Sequence, residues 1–407
     1  MKKIKMMMAA ALGVLVSCGS VKSGEEVVAA SRDSKVVVAY VTSWSEVMPD
    51  PQYMTHINYA FGHVNESFNG VKIDNEERLK QIVDLRKQKP ELKVLLSIGG
   101  WGSGRFSEMA ANDEYRRAFA ADCDRVVKKF ALDGIDIDWE YPTSSMANIS
   151  SSPDDTENFT LLMQDIRAAI GNEKELTLAT VASARYIDFK AILPSVDFVN
   201  IMAYDMASAP KHHSALYPSG HSGDITSDGA VTAHLKAGVP PSKLVMGMPF
   251  YGRGGDGYPS FQDYNKVGNT DTQYTEKWDE VAQVPYLADK NDTLVFGFEN
   301  PRSLAIKCQY ILDKDLLGGM YWDYSGDNEQ GDLRRTVAEN LLGKPHKAKV
   351  LVLTERGGQH GGFTDAGLKW LAAEGAKGNF SITEINNARN VTEAYLSQFS
   401  LVIHSRR

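Results

Sequence analysis

A chain of 407 residues with 43% hydrophobic and 24% charged residues has the make-up of an ordinary globular protein, long enough for one large domain with something attached. Its formal net charge of -8 offers no basic face to neutralise phosphates, which argues against nucleic acid as a partner and leaves a neutral or weakly cationic substrate open.

Residues 1–17 read as a targeting segment. MKKIK is a positive start, and MMMAAALGVLV is an apolar run of eleven residues, too short for an ordinary transmembrane helix. The run ends in LVSC, Leu15 to Cys18, followed by Gly19. This resembles the lipobox of bacterial lipoproteins, which implies cleavage before Cys18, lipidation of that cysteine and attachment to a membrane of the bacterial cell envelope, on its periplasmic or its outer face. A plain secretory signal is the alternative. Residues 18–34 are small and polar and suit a flexible tether. Cys123 and Cys308 each sit inside a helix-like pattern and are expected to be buried free thiols.

From residue 36 short apolar runs alternate with amphipathic stretches. The runs VVVAYV (36–41), HINYAF (56–61), LKVLLSIGG (92–100), GIDIDWE (134–140), ELTLATVA (175–182), DFVNIMAYD (197–205), KLVMGMPFYG (243–252) and LLGGMYWDY (316–324) predict eight strands. Between them EERLKQIVDLRKQ, NDEYRRAFAADCDRVVKKFAL, DDTENFTLLMQDIRAAIG and NPRSLAIKCQYILDKD carry apolar residues at three- and four-residue spacing, as helices do. Alternation of this kind over residues 35–343 predicts a (β/α)₈ barrel of the TIM type, with a doubly wound open sheet as the alternative. A barrel places its active site at the carboxyl ends of its strands. The unusual residues fall there: Ser97, Gly99, Gly100 and Trp101, then Glu140 and Tyr141, Tyr204 and Asp205, Tyr251 and Arg253, Trp322 and Asp323. Between the seventh and eighth strands the sequence predicts a loop and one short segment, hence a shallow, open groove.

Residues 344–407 differ in character. A linker, GKPHKA, leads to KVLVLTE, a glycine-rich turn, a helix pattern TDAGLKWLAAEGA, then NFSITEI and AYLSQFSLVIHSRR. This β-α-β-α-β run resembles the beginning of a ThuA-like (trehalose-utilisation-type) domain of flavodoxin-like fold, and implies a truncated domain; an unrelated βαβ appendage is the alternative.

The fourth strand carries the chemistry. DGIDIDWEYP (133–142) holds four acids in ten residues. Side chains alternate along a strand, so Asp136, Asp138 and Glu140 share one face at intervals of ~6.6 Å, while Ile135, Ile137 and Trp139 share the other. With the apolar set against the helices, the three carboxylates rise through the barrel toward its mouth. Burying ionised carboxylates costs several kcal/mol each unless they are paired. A metal site would need ligands converging from several directions. Neighbouring carboxylates that cannot all ionise instead give acid–base catalysis, with Glu140 as proton donor and a proton shared between Asp136 and Asp138 below it. Asp133, on the opposite parity, is expected to be structural. His212 and His213 are adjacent and point apart, which speaks against a zinc site and for a loop lining the groove.

DGIDIDWEYP matches the DxxDxDxE signature of glycoside hydrolase family 18, the chitinases. SIGGW (97–101), INYAF (57–61), MAYDM (202–206), HHSALYPS (212–219), PFYGR (249–253) and GGMYWDYSGD (318–327) also resemble segments of that family, in order. The resemblance implies retaining hydrolysis of chitin or chitooligosaccharides, with no cofactor, in which the 2-acetamido group of the sugar attacks its own anomeric carbon and forms an oxazolinium ion, and the open groove suits endo-acting, internal cleavage of long chains. Glu140 would protonate the leaving oxygen and then activate water. Asp138 would turn toward the acetamide N–H, Asp136 would hold the proton that Asp138 gives up or takes, and Tyr204 would donate to the acetamide oxygen. Asp205 would bind the distorted sugar and Trp322 would form the floor beneath it. Trp101, Tyr40, Phe61, Tyr141 and Tyr251 are candidate walls and neighbouring subsites, and Met202 and Arg253 join the substrate-binding set. A monomer is expected. The rival readings are a hydrolase of the N-glycan core or of peptidoglycan, and a chitin-binding lectin without activity.

Overall fold

The computed structural model describes residues 35–255, 258–267, 273–343, 348–354, 361–378, 380–385, 396, 399 and 401–404. The targeting segment, Cys18 and the tether lie outside the described residues. Eight parallel strands form the centre: β1 (Val36–Thr42), β2 (His56–Val64), β3 (Lys93–Gly99), β4 (Gly134–Asp138), β5 (Glu175–Val181), β6 (Phe198–Met202), β7 (Leu244–Pro249) and β8 (Gly318–Trp322). Each pairs with its sequence neighbour, and β1 pairs with both β2 and β8, so the sheet closes on itself. All eight strands and the four quoted helices lie where the sequence predicts them, as Glu76–Val83, Asp113–Phe130, Asp155–Ile170 and Pro301–Asp313. The helices begin where a side chain can satisfy the free N–H groups of the first turn. Asn112 accepts from Glu114 N and Tyr115 N, and Asn300 forms a capping box with Ser303.

The large core lies between the barrel and its helices. On β4, Ile135, Ile137 and the following Trp139 all belong to it, and Trp139 stacks on Phe106 at 5.3 Å. Asp136, on the other parity, is fully buried inside the barrel, with Asp138 and Glu140 only 4% and 9% exposed. Asp133 is structural: it accepts from Val94 N at 2.7 Å and pairs with Arg86. Cys123 and Cys308 are buried and free. No helix among the described residues is long and apolar enough to cross a membrane.

Between β7 and β8 the chain departs from the expectation. In place of a loop, strands Tyr251–Gly254, Gln262–Asp263, Thr275–Asp279, Val284–Ala288 and Leu294–Gly297 form a five-stranded antiparallel sheet. Its strands are two to five residues long, too short for alternation to show, and YLADKNDTLVFG is a hairpin closed by Asp289, which accepts from Asn291 N and Thr293 N. Phe296, Phe298, Leu287 and Val295 form its own apolar cluster.

After the barrel, strands Ala348–Leu353, Phe380–Ile385 and Leu401–His404 make a parallel sheet with the first in the centre, and helix Gly361–Gly378 connects the first two. The order second–first–third is that of the first half of a flavodoxin-like sheet. The second helix expected from the sequence falls largely outside the described residues.

Behind the sixth and seventh strands' loops, Lys307 and Glu299 pair with neither side chain exposed. Lys307 also donates to Ser214 O at 2.5 Å, and Ser214 Oγ donates to Glu299 Oε1 at 2.6 Å. Lys307→Met would leave Glu299 buried without a counter-charge and should cost about 3–5 kcal/mol in urea unfolding. Glu299→Leu added to it should recover part of that loss. A single-variant cost below about 1 kcal/mol would contradict this role for the pair.

Candidate active site

The column of carboxylates is built from the bottom. Asp136 accepts from Tyr40 Oη and Ser97 Oγ on Oδ2, both at 2.8 Å, and from Thr177 Oγ1 at 2.6 Å and Asn200 Nδ2 at 3.3 Å on Oδ1. These donors come from β1, β3, β5 and β6. Burial pushes the Asp136 carboxyl above its ordinary value, and the four hydrogen bonds limit the rise. Asp138 has no such help: Oδ1 is buried without a partner. Burial first, then the charges of Glu140 and Asp136, push its carboxyl well above the usual range. The proton that the sequence assigns to both acids therefore belongs to Asp138, above an ionised Asp136.

Gly99 makes this close packing feasible. It lies at φ +130°, and a Cβ there would stand 1.9 Å from Asp138 O. Its neighbour Gly100 donates its N–H to the same carbonyl at 2.8 Å. Gly247 serves the far wall, where a Cβ would fall 2.9 Å from the Tyr204 ring.

At the mouth, burial pushes the Glu140 carboxyl up, the Tyr141 hydroxyl bonded to it pulls it down and the charge of Asp205 pushes it up again, which together bring it to about 7. Burial, then the charges of Asp138 and Glu140, hold the Tyr204 hydroxyl well above its ordinary value, so it stays a donor. Asp205 behaves oppositely. Burial pushes its carboxyl up, yet Arg253 and His213 outweigh this and hold it well below the usual carboxylate range. Arg253 grips it with two bonds, Nε to Oδ1 at 2.7 Å and Nη2 to Oδ2 at 2.6 Å.

Asp138, Glu140, Tyr204, Asp205, Met202, Trp101, Tyr40, Phe61, Tyr141, Tyr251, Arg253 and Trp322 all line one cavity of about 730 Å³, with Asp136 beneath it. Trp322 stacks on Phe61 at 5.5 Å and meets Tyr40 at 5.6 Å. On the side of β3 and β4, Trp101 meets Tyr141 edge-on and Tyr141 stacks on Tyr186 at 5.6 Å. Tyr251, with Phe261 stacked on it at 4.7 Å, meets Tyr204 edge-on on another side. Trp44, Tyr186 and Phe261 line the cavity without having been singled out from the sequence. Trp44 and Tyr186 follow the ends of β1 and β5, so the strand-end rule that found the others reaches them too; Phe261 immediately precedes a strand of the unpredicted sheet.

The side chains of His212 and His213 themselves are buried, at 2% and 0% exposure. They do point apart, His212 Nε2 to Asp279 at 3.2 Å and His213 Nδ1 to Asp205 at 3.4 Å.

A buried acid near neutrality, a proton-bearing carboxyl under it and aromatic walls make a site for cleaving a sugar bond. The family model of the glycosyl hydrolases family 18 matches residues 36–327. The chain belongs to that family. Chitinase A1 of Niallia circulans is 30% identical over 409 residues, covering 74% of this chain and 58% of that enzyme's length. Chitotriosidase-1 of Mus musculus is 31% identical over 350 residues, covering 72% of this chain and 74% of its own. Of solved structures, a family 18 N-acetylglucosaminidase from Paenibacillus barengoltzii matches with a TM-score of 0.70 at 32% identity, over 75% of this chain and 99% of that one. A Group IV chitinase of Ostrinia furnacalis matches with a TM-score of 0.69 at 28% identity, over 76% and 100%. This family 18 protein is a glycoside hydrolase.

A general acid must carry its proton, so kcat/KM should hold at acidic pH and fall as pH rises through about 7, the Glu140 value. Tyr141→Phe removes a hydrogen bond that lowers that value and should shift the alkaline limb upward. Asp205→Asn removes a negative neighbour and should shift it downward. Profiles that superpose in all three proteins would contradict the assignment of the limb to Glu140.

Proposed function

We propose that the protein hydrolyses β-1,4-linked N-acetylglucosamine chains, chitin and its oligosaccharides, with retention and with the substrate's own acetamide as nucleophile. The supporting observation concerns the carboxylates of the cleft, which are Asp138, Glu140 and Asp205. Asp205 is committed to Arg253, Asp138 holds a proton, and Glu140 is the acid. None is a free nucleophile, which supports an electron pair supplied by the sugar itself.

In the first step Glu140 gives its proton to the glycosidic oxygen as that C–O bond breaks. The acetamide oxygen closes on the anomeric carbon, forming the oxazolinium ion. Asp138 passes its proton down to Asp136 and, as a carboxylate, accepts from the acetamide N–H and stabilises the growing positive charge, while Tyr204 donates to the acetamide oxygen. Glu140, now a carboxylate, takes a proton from water, whose oxygen opens the ring with net retention. Holding these groups in place lowers the barrier by several kcal/mol.

Exposed aromatics support internal cleavage of long chains. Trp44 and Trp101, 64% and 62% exposed, offer stacking platforms beside Trp322 and beside Tyr141 respectively. Release of single N-acetylglucosamine units is the second reading, favoured by the likeness to the Paenibacillus barengoltzii enzyme along that enzyme's whole chain.

Chitohexaose, a high-mannose glycoprotein and bacterial cell wall, offered in parallel, should yield early dimers to tetramers from chitohexaose alone. Early monomer would favour the second reading, and cleavage of only the glycoprotein or the wall would overturn the substrate. Glu140→Gln should lower turnover at least about a thousandfold with binding retained, and the first products should be β-anomers by NMR; initial α-anomers would contradict substrate assistance. We also propose that lipid on Cys18 tethers the enzyme to the cell envelope. Cys18→Ala should move it from the membrane fraction to the soluble one, and unchanged fractionation would contradict the anchor.

A further inference from the structure

We infer that His213 is a positioning residue for Asp205, donating from Nδ1 to its carboxylate and fixing it, opposite Arg253, for the sugar. The inference rests on the reading of Asp205 as a sugar ligand. Asp205 needs such support. Its backbone sits in the left-handed region at φ +53°, uncommon for a residue with a side chain, and its side chain is 40% exposed in the cleft. Arg253 holds it from a side chain that is itself 32% exposed. His213 approaches from the buried side, with its ring against Tyr251 at 5.4 Å.

His213 Nδ1 lies 3.4 Å from Asp205 Oδ1 and 3.5 Å from Asp205 N, while Nε2 is buried without a partner. One nitrogen cannot both donate to the carboxylate and accept from the amide. A proton on Nε2 would leave a buried N–H unpaired and set a lone pair against the ionised Asp205. A proton on Nδ1 gives a charge-assisted bond and leaves only a lone pair unpaired, which is the cheaper arrangement.

The ring is fixed by what surrounds it. His213 O accepts from Met206 N at 3.0 Å, tying it to the residue after Asp205. His212 Nε2 reaches Asp279 of the antiparallel sheet, and Ser214 is held by Glu299 and Lys307. The three residues thus join the loop after β6 to the insertion and to helix Pro301–Asp313.

Nitrogen-15 NMR of the histidine rings tests the contact directly. His213 should show a protonated Nδ1 and an unprotonated Nε2 in the wild type, and Asp205→Ala should move the proton to Nε2. A wild-type Nε2–H ring would overturn the inference. In kinetics on chitohexaose, His213→Phe should lower kcat about ten- to a hundredfold with little change in KM, and His213→Asn, whose amide can donate in place of Nδ1, should stay within about threefold of wild type. In an Asp205→Asn background the same His213→Phe change should add no more than about twofold. Equal losses in both backgrounds would mean that His213 acts elsewhere. Should the phenylalanine variant not fold, the asparagine variant and the ring spectra still decide. Failure of wild type to cleave chitohexaose would count against the substrate and leave the tautomer result standing.

Discussion

Four hydrogen bonds from four strands meet on Asp136, and the chemistry of the cleft depends on them. An ionised carboxylate inside a barrel costs several kcal/mol. Each hydrogen bond to a charged group returns about 1.5–3 kcal/mol, so four offset most of that cost and leave the carboxyl only modestly raised. A closed barrel is the architecture that brings β1, β3, β5 and β6 to one interior point. With Asp136 able to stay ionised, Asp138 must hold the proton, because two adjacent buried charges without intervening donors repel. Glu140 is set separately, by burial first and then by the balance of the Tyr141 hydrogen bond and the Asp205 charge.

The other side of the cleft follows the opposite logic. Asp205 is surrounded by donors and stays charged, while Glu140, two strands away, has only the Tyr141 hydroxyl and stays protonated below about pH 7. Two carboxyl groups of similar intrinsic acidity are thereby driven apart, which lets a single cleft hold an acid and an anionic sugar ligand at one pH. The antiparallel insertion contributes to this division. It supplies Arg253 directly and braces His212 through Asp279.

Much of this was legible in the sequence because strand parity is a strict rule. Asp136, Asp138 and Glu140 on one face, with two isoleucines and Trp139 on the other, forced the column and its direction before any coordinates. The strand-end rule gathered Trp101, Tyr141, Tyr204, Tyr251 and Trp322 into one cavity. Thr177 and Asn200 escaped notice because a threonine or asparagine inside a strand is unremarkable until a carboxylate stands beside it. The five-stranded sheet escaped because strands of two to five residues carry too few alternations to register. The loop carrying His212 and His213 was read as groove-lining, and the contacts these two side chains make from the buried side, to Asp279 and Asp205, leave no mark in the sequence.

Neutron diffraction from a deuterated crystal near pH 6 is the most direct test of the proton ladder. The account predicts deuterons on Asp138 and on Glu140 and none on Asp136, with the deuterons of Tyr40, Ser97 and Thr177 pointing at the Asp136 oxygens. A deuteron on Asp136 with Asp138 ionised would contradict it, since the four donors would then no longer decide where the charge resides.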